Sequence, residues 1–312
     1  MLMARLVKSR RRTCARRALG AFARSATPWY IDRMQIGEWS VRTILAGRFR
    51  LDGGAMFGVV PRTMWAQALP PDEFNRVPMV MRILLVQGRG RTIVVDVGAG
   101  GGHTAKNREI YAFEDTEHLG ELIRALGVDP AKVTDVLLTH LHFDHAAGIV
   151  EPDGDGWKLV FANARHHVQR SQWEHAFHPN PRDRASYYED RLRTMEAHGV
   201  LDLYDGPWTL APGFDLRVFD GHSPGQQLPV IHGRESTLFF CGDLIPTHHH
   251  VPIPYVMSYD LYPVTAMSEK STLLEQAAAE GWILLFEHDA HLEACHIQRD
   301  GRRFAPADVV TV

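Results

Sequence analysis

The chain has 312 residues, 45% of them apolar, three cysteines and a formal net charge of −3. That length supports one large core or two modest ones, and no apolar run is long enough to cross a membrane. Cys14, Cys241 and Cys295 are far apart, odd in number and without a CxxC, which argues against a disulfide framework or a cysteine-based zinc site and fits a reducing, cytoplasmic compartment.

The charge is uneven. Through Arg33 there are nine Lys/Arg against one acid, Asp32, which leaves −11 on the rest. An acidic body argues against a general nucleic-acid binder. Residues 1–33 read as a basic, disordered extension ahead of Met34, the candidate start of the folded part. "SRRRTCARRALGAF" shares features with a twin-arginine export signal and with an organelle transit peptide, but Arg16, Arg17 and Arg24 interrupt the apolar stretch that the export signal needs.

"VRTILAGRFRLDGG" predicts a strand entering a loop, and "VMRILLVQGRGRTIVVDVGAGGG" a hairpin joined by Gly88 to Arg91. "EHLGELIRALGV" has helical spacing at Leu119, Leu122, Ile123 and Leu126, closed by Gly127. "VTDVLLTH" reads as a buried strand, and the segment from "SQWEHAF" to "TMEAHG" as helical in parts, broken at "HPNP". The strands "DLRVFDGH" and "STLFFCGD", the helix "MSEKSTLLEQAAAEG" and the strand "WILLFEHD" follow, and "CHIQRDGRRFAP" closes the chain as a hairpin turning at Asp300-Gly301. This order predicts one α/β domain over 34–312, made of two sheet-and-helix halves packed face to face.

Four apolar runs end in a metal-type ligand: "DVLLTH" at His140, "LRVFDGH" at His222, "LFFCGD" at Asp243 and "ILLFEH" at His288. Strand ends of a layered α/β fold share one edge, so these groups can converge on one cleft. In an extended segment His140 and His142 point the same way and form a chelating pair, which His222 completes. Asp144 and His145 come after the chain turns and serve a second position with His288, and Asp243 has two oxygens with which to bridge. The donors are all nitrogen or oxygen, which suits two divalent ions, Zn²⁺ first, with Fe or Mn as alternatives. A His-rich surface loop is the competing reading; it does not account for "GH", "GD" and "EHD" each arriving behind a strand.

With "THLHFDH", "GHSPGQ", "CGD" and "FEHD", the chain resembles the metallo-β-lactamase superfamily from Met34 to about Arg303. "LDGGAMFGVVPRTMW" and "RTIVVDVGAG" resemble the branch that contains acyl-homoserine-lactone lactonases and organophosphate hydrolases. The resemblance implies a four-layer αβ/βα sandwich with a binuclear site between the sheets. It implies a bridging hydroxide that attacks a lactone or other ester of a small apolar molecule, with Asp144 also carrying the proton. A phosphotriesterase or a glyoxalase II-like thioesterase is the alternative, and a nucleic-acid-processing nuclease a more distant one. By the same resemblance, Asp96 orients a ligand histidine. The expected partner is a small-molecule substrate, with a homodimer as the assembly to test and neither nucleic acid nor membrane.

Other signals point elsewhere. "DVGAGGGH" lacks the third glycine of a dinucleotide loop, with His103 in its place, and reads as a flexible loop beside the metals. His248, His249 and His250 read as a loop lining the pocket. Phe57, Trp65 and Phe74 lie in a segment that either covers the cleft or packs into the core. Acyl-homoserine lactonases commonly carry a tyrosine three residues after the bridging aspartate. Pro246 stands there in this chain, which leaves Tyr255 and Tyr259 as candidate substitutes.

Overall fold

The computed structural model describes residues 33–116 and 118–312, so the basic arm, Arg33 apart, lies outside the described residues. β1 (Met34–Ile36), β2 (Trp39–Asp52), β3 (Arg76–Gly88) and β4 (Arg91–Val95) run antiparallel, and β5 (Asp135–Leu137) joins β4 in parallel. β6 (Val150–Asp153) and β7 (Gly156–Leu159) form a separate hairpin. The next neighbour of β5 is therefore β8 (Arg165–Gln169), followed by β9 (Leu201–Tyr204), both parallel. The second seven-stranded sheet keeps chain order: β10 (Trp208–Ala211), β11 (Phe214–Phe219), β12 (Gln226–His232), β13 (Thr237–Phe240), β14 (Ile283–Leu285), β15 (Ala294–Asp300) and β16 (Arg303–Val310), with β13 and β14 its parallel pair.

Period-two alternation decides which face of each sheet meets what. On β3, Leu84 and Val86 face the second sheet, packing in one cluster with Phe214, Ile231, Leu238, Phe240 and Leu285. Ile83 and Leu85 face the other way, among the helices that cover the first sheet. β13 repeats the pattern: Leu238 and Phe240 look inward, while Phe239 packs outward with Leu273, Leu274 and Ala277 of the long helix behind it. Burying such a side chain is worth roughly 1.5–3 kcal/mol, so a one-residue slip that exchanged the faces would be heavily penalised. The result is the four-layer αβ/βα order expected from the sequence.

The helices are α1 (Gly53–Phe57), α2 (Arg62–Ala68), α3 (Ala105–Tyr111), α4 (Leu119–Ala125), α5 (Phe143–Ala146), α6 (Arg170–Phe177), α7 (Glu189–Ala197) and α8 (Pro263–Glu280). Two expectations shift locally. "DGG" is not a loop but the start of α1, because the Asp52 side chain accepts from the Ala55 backbone N–H at 2.8 Å and caps a one-turn helix. The last hairpin pairs Asp300 with Arg303, which makes Gly301-Arg302 the two turn residues. No helix among the described residues is long and apolar enough to cross a membrane.

The "DVGAGGGH" loop lies beside the predicted ligand cluster and is mostly buried. Val97 to Gly101 are buried, and the Arg191 guanidinium donates to the carbonyls of Ala99 (3.0 Å), Gly101 (2.7 Å) and Ala147 (3.1 Å). The glycines serve a close backbone approach: the Gly148 N–H donates to the Gly98 carbonyl at 2.8 Å, and Gly100 holds φ +63° against Gly148.

Candidate metal centre

The ends of β5, β11, β13 and β14 meet at one edge of the sandwich, and the residues just beyond them meet in one cluster. His140, His142, His222 and Asp243 place one ligand atom each within 4.8 Å of one another, and so do Asp144, His145 and His288. All seven side chains singled out from the sequence are buried and lie together. His140 and His142 sit in a bend beyond β5 rather than on an extended strand, and their rings cross at 78°. They converge because His140 turns Nε2 inward and His142 turns Nδ1 inward, 3.0 Å apart. Asp144 and His145 lie on α5, a single turn that swings them towards His288.

The outward ring nitrogens fix what the inward ones present. The Thr139 hydroxyl donates to Asp96 Oδ2 at 2.7 Å, so its oxygen accepts from His140 Nδ1 at 3.1 Å. His222 Nδ1 donates to Asp260 Oδ1 at 2.9 Å, His145 Nδ1 to Asp96 Oδ2 at 3.1 Å, and His288 Nδ1 to the Val80 carbonyl at 2.8 Å. The Nε2 atoms of His140, His145, His222 and His288 are then the ring atoms aimed inward, where a metal ion would take them as lone pairs. His145 Nε2 and His288 Nε2 face each other at 3.1 Å, and His222 Nε2 and His142 Nδ1 at 3.2 Å. Each of these nitrogen pairs needs either a proton or a metal ion between its members.

Asp243 stands between the two groups. Its Oδ2 is 3.2 Å from His222 Nε2, 3.6 Å from His145 Nε2 and 3.8 Å from His140 Nε2, while Oδ1 is 3.0 Å from His288 Nε2 without being aligned for a hydrogen bond. Burial would raise the Asp243 carboxyl, but His288, His145 and His222 overcome it and hold it well below the usual carboxylate range. Burial, reinforced by the neighbouring imidazoles, holds His140 and His142 well below the ordinary histidine value and so keeps them neutral. Burial also works against protonating His288, yet Asp243 lifts it to about 9. The neutral rings of His140 and His142 beside an ionised Asp243 make a centre that attracts cations, where a bound metal would displace the proton from His288, and the donor set fits divalent metal ions of the zinc type.

The supporting residues were legible only in part. Asp96, at positive φ (56°), accepts from the Thr139 N–H at 2.7 Å, the Thr139 hydroxyl and His145, which is the orienting position anticipated for it. Asp260, which holds His222, and Glu287, which lies 3.1 Å from His145 Nδ1, went unread. Glu287 is fully buried without an aligned partner, and burial pushes its carboxyl up to about 8. Its signal was present as an acid at a strand end directly before a ligand histidine.

A cavity of about 50 Å³ opens over the cluster, walled by Leu51, Met56, Tyr111, Phe143, Met257 and Tyr259. Of the two candidate tyrosines, Tyr259 lines this cavity and Tyr255 does not. Burial, reinforced by Tyr111 and Asp144, raises the Tyr259 hydroxyl well above its ordinary value, so it stays a proton-bearing donor. A larger groove of about 260 Å³, lined by Phe57, Trp65, His248, His249, Tyr255 and Phe304, includes none of the seven residues. Five of the seven, His142, Asp144, His222, Asp243 and His288, line the smaller cavity. His248 and His249 therefore line the other groove, and His250 is buried between Thr247 and the Met56 carbonyl. Phe57 and Trp65 stack on each other 5.2 Å apart as core, while Phe74 is exposed.

The metallo-beta-lactamase superfamily profile matches residues 82–288, which contain every residue of the cluster. An N-acyl homoserine lactonase of Bacillus thuringiensis is 25% identical over 219 residues, covering 69% of this chain and 80% of that protein. The N-acyl homoserine lactonase AttM of Azorhizobium caulinodans is 28% identical over 218 residues, covering 63% and 78%. Among solved structures, a probable metal-dependent hydrolase from Staphylococcus aureus superposes with a TM-score of 0.79 at 28% identity, over 89% of this chain and all of that one. AidC, a dizinc quorum-quenching lactonase, shares the fold with a TM-score of 0.73 at 22% identity, over 90% of this chain and 98% of that one. The chain belongs to the metallo-β-lactamase superfamily and is a metal-dependent hydrolase.

Proposed function

We propose that the chain is a binuclear hydrolase of lactones or other esters of small, uncharged, apolar molecules. The observation that carries this reading is the set of inward imidazole nitrogens in two groups with Asp243 between them. His140, His142 and His222 would hold one cation, Asp144, His145 and His288 the other, and Asp243 both. Divalent cations held there, zinc first, would supply a water with a pKa lowered to roughly 7 and Lewis-acid polarisation of a carbonyl. The protein supplies the rest. Asp144, at the cavity floor, is placed to take and return a proton, and the Tyr259 hydroxyl is placed to donate to a substrate oxygen. Leu51, Met56, Phe143 and Met257 exclude water around the non-reacting part of the substrate. The names of the lactonase relatives support the lactone class.

The cavity wall separates this reading from its rivals. Among the described residues no lysine or arginine lines the cavity, so none of them pairs there with the carboxylates of a glutathione thioester. The test is a hydrolysis panel on zinc-loaded protein containing acyl-homoserine lactones, aryl esters, a phosphotriester and a glutathione thioester. Neutral lactones or esters are expected to exceed the glutathione thioester in kcat/KM by about a hundredfold, the size of one uncompensated buried charge or more. Turnover confined to the thioester, or to the phosphotriester, would overturn the assignment.

A further inference from the structure

Among the described residues, the part-buried Arg82 and the buried Arg191 and Lys270 donate hydrogen bonds to backbone carbonyls of the loops around the site. Arg82 donates to the carbonyls of Phe286 (2.7 Å) and Asp289 (3.0 Å), on either side of His288. Arg191 holds Ala99, Gly101 and Ala147, behind His145. The third, Lys270 on α8, is 1% exposed, and its Nζ donates to the carbonyls of His250 (3.0 Å), Pro252 (3.2 Å) and Tyr255 (2.8 Å). The first two brace backbone that bears members of the cluster. Lys270 braces backbone that bears none of them and leads instead into Met257 and Tyr259, the wall of the cavity.

We infer that Lys270 is a positioning residue for substrate: it fixes the start of the 250–262 loop and so sets where Met257 and Tyr259 stand over the cluster. This rests on the reading of that cavity as the active site. The far end of the loop has its own anchors. The Leu261 N–H donates to the His222 carbonyl at 3.1 Å, the Tyr262 N–H to the Gly221 carbonyl at 2.9 Å, and Asp260 joins His222 Nδ1 to the Met257 N–H. Next to Lys270, Glu269 grips the other side, accepting from the N–H groups of Asp220 (2.8 Å) and Gly221 (3.0 Å). Gly221 packs so closely on α8 that a Cβ would lie 2.4 Å from the Ala266 backbone. One helix thus carries adjacent residues that reference the His222 loop and the substrate wall to the same frame.

The chemistry of the clamp is specific. An amine has two N–H donors and an ammonium three, and the loop offers three acceptors, so only the ammonium satisfies all of them. Burial pulls the group down to about 7, a cost that a residue needed only for packing would not carry. Methionine would fill the same space and remove the donor shared by the three carbonyls, of which Pro252 alone keeps a second, the Tyr255 N–H at 2.9 Å.

The test compares zinc-loaded wild type with Lys270→Met, and with Lys270→Gln should the methionine variant fail to fold. Two readouts decide it. Hydrogen–deuterium exchange of the metal-stripped proteins should be faster in the variant over 250–260 and unchanged over 283–290. In the zinc-loaded proteins KM for a preferred lactone or ester should rise about tenfold with kcat within about twofold and zinc content unchanged. An active variant with wild-type KM, a fall in kcat without a change in KM, or loss of zinc would each overturn the inference. A wild type inert towards every ester and lactone would instead overturn the functional reading, while exchange over 250–260 would still report on the clamp.

Discussion

Asp243→Ala is expected to lower kcat/KM for any ester substrate by about a thousandfold or more and to reduce zinc at both positions together. The expectation follows from where the carboxylate stands. One oxygen lies 3.2 Å from His222 Nε2 and the other 3.0 Å from His288 Nε2, so a single side chain serves both groups. Asp243 also sets the electrostatics of its neighbours, since it lifts His288 against the burial that would otherwise keep that ring neutral. Asp144→Ala is the contrast, because Asp144 belongs to one group. Zinc analysis should therefore show about two ions per chain in wild type, about one in the Asp144 variant and less than one in the Asp243 variant. Equal retention of zinc in both variants would show that Asp243 does not connect the two groups.

Gly148→Ala is expected to be the most destabilising single-methyl change near the site, costing about 3 kcal/mol or more. A Cβ there would lie 2.1 Å from the Val97 carbonyl oxygen, 3.0 Å from that of Gly98 and 3.1 Å from the Gly100 nitrogen. All three are backbone atoms of a loop that cannot step aside: its Val97 N–H is bonded to the His145 carbonyl at 2.8 Å, and Arg191 grips its other end. Gly154→Ala is the control, at positive φ (59°) with open space around the added methyl, and should cost about 1 kcal/mol from backbone strain alone. Denaturant unfolding of the two variants measures the difference. Similar losses would mean that the packing of the glycine loop against α5 is looser than described.

The residues that hold the chemistry were readable because each follows a strand, and strand ends in a layered fold share an edge. His140, His222, Asp243 and His288 needed no more than that. The unbroken apolar run Ile83 to Val86 was readable as a strand, and in the fold it serves two buried faces. What stayed hidden has a common physical cause. Lys270, Arg82 and Arg191 find their partners in backbone carbonyls, and a carbonyl leaves no mark in a sequence. Asp260 reaches His222 across 38 positions, from a loop without a period that could say which way a side chain faces. The same lack of period left Tyr255 and Tyr259 equivalent until the loop was seen folded. The glycines of "DVGAGGGH" could be refused as a dinucleotide site, but their use required Gly148, about 50 residues on, to be placed against them. The neighbour of β5 was equally out of reach, because the β6–β7 hairpin leaves the sheet and β8 takes its place.

The central claim is that seven side chains from four strand ends hold two cations in one groove. The most direct measurement is a crystal structure of the zinc-loaded protein with anomalous scattering recorded on both sides of the zinc edge. The account predicts two peaks about 3.5–4 Å apart, one among His140, His142 and His222, the other among Asp144, His145 and His288, with Asp243 reaching both. Zinc bound elsewhere on the protein, with no peak between these side chains, would contradict it.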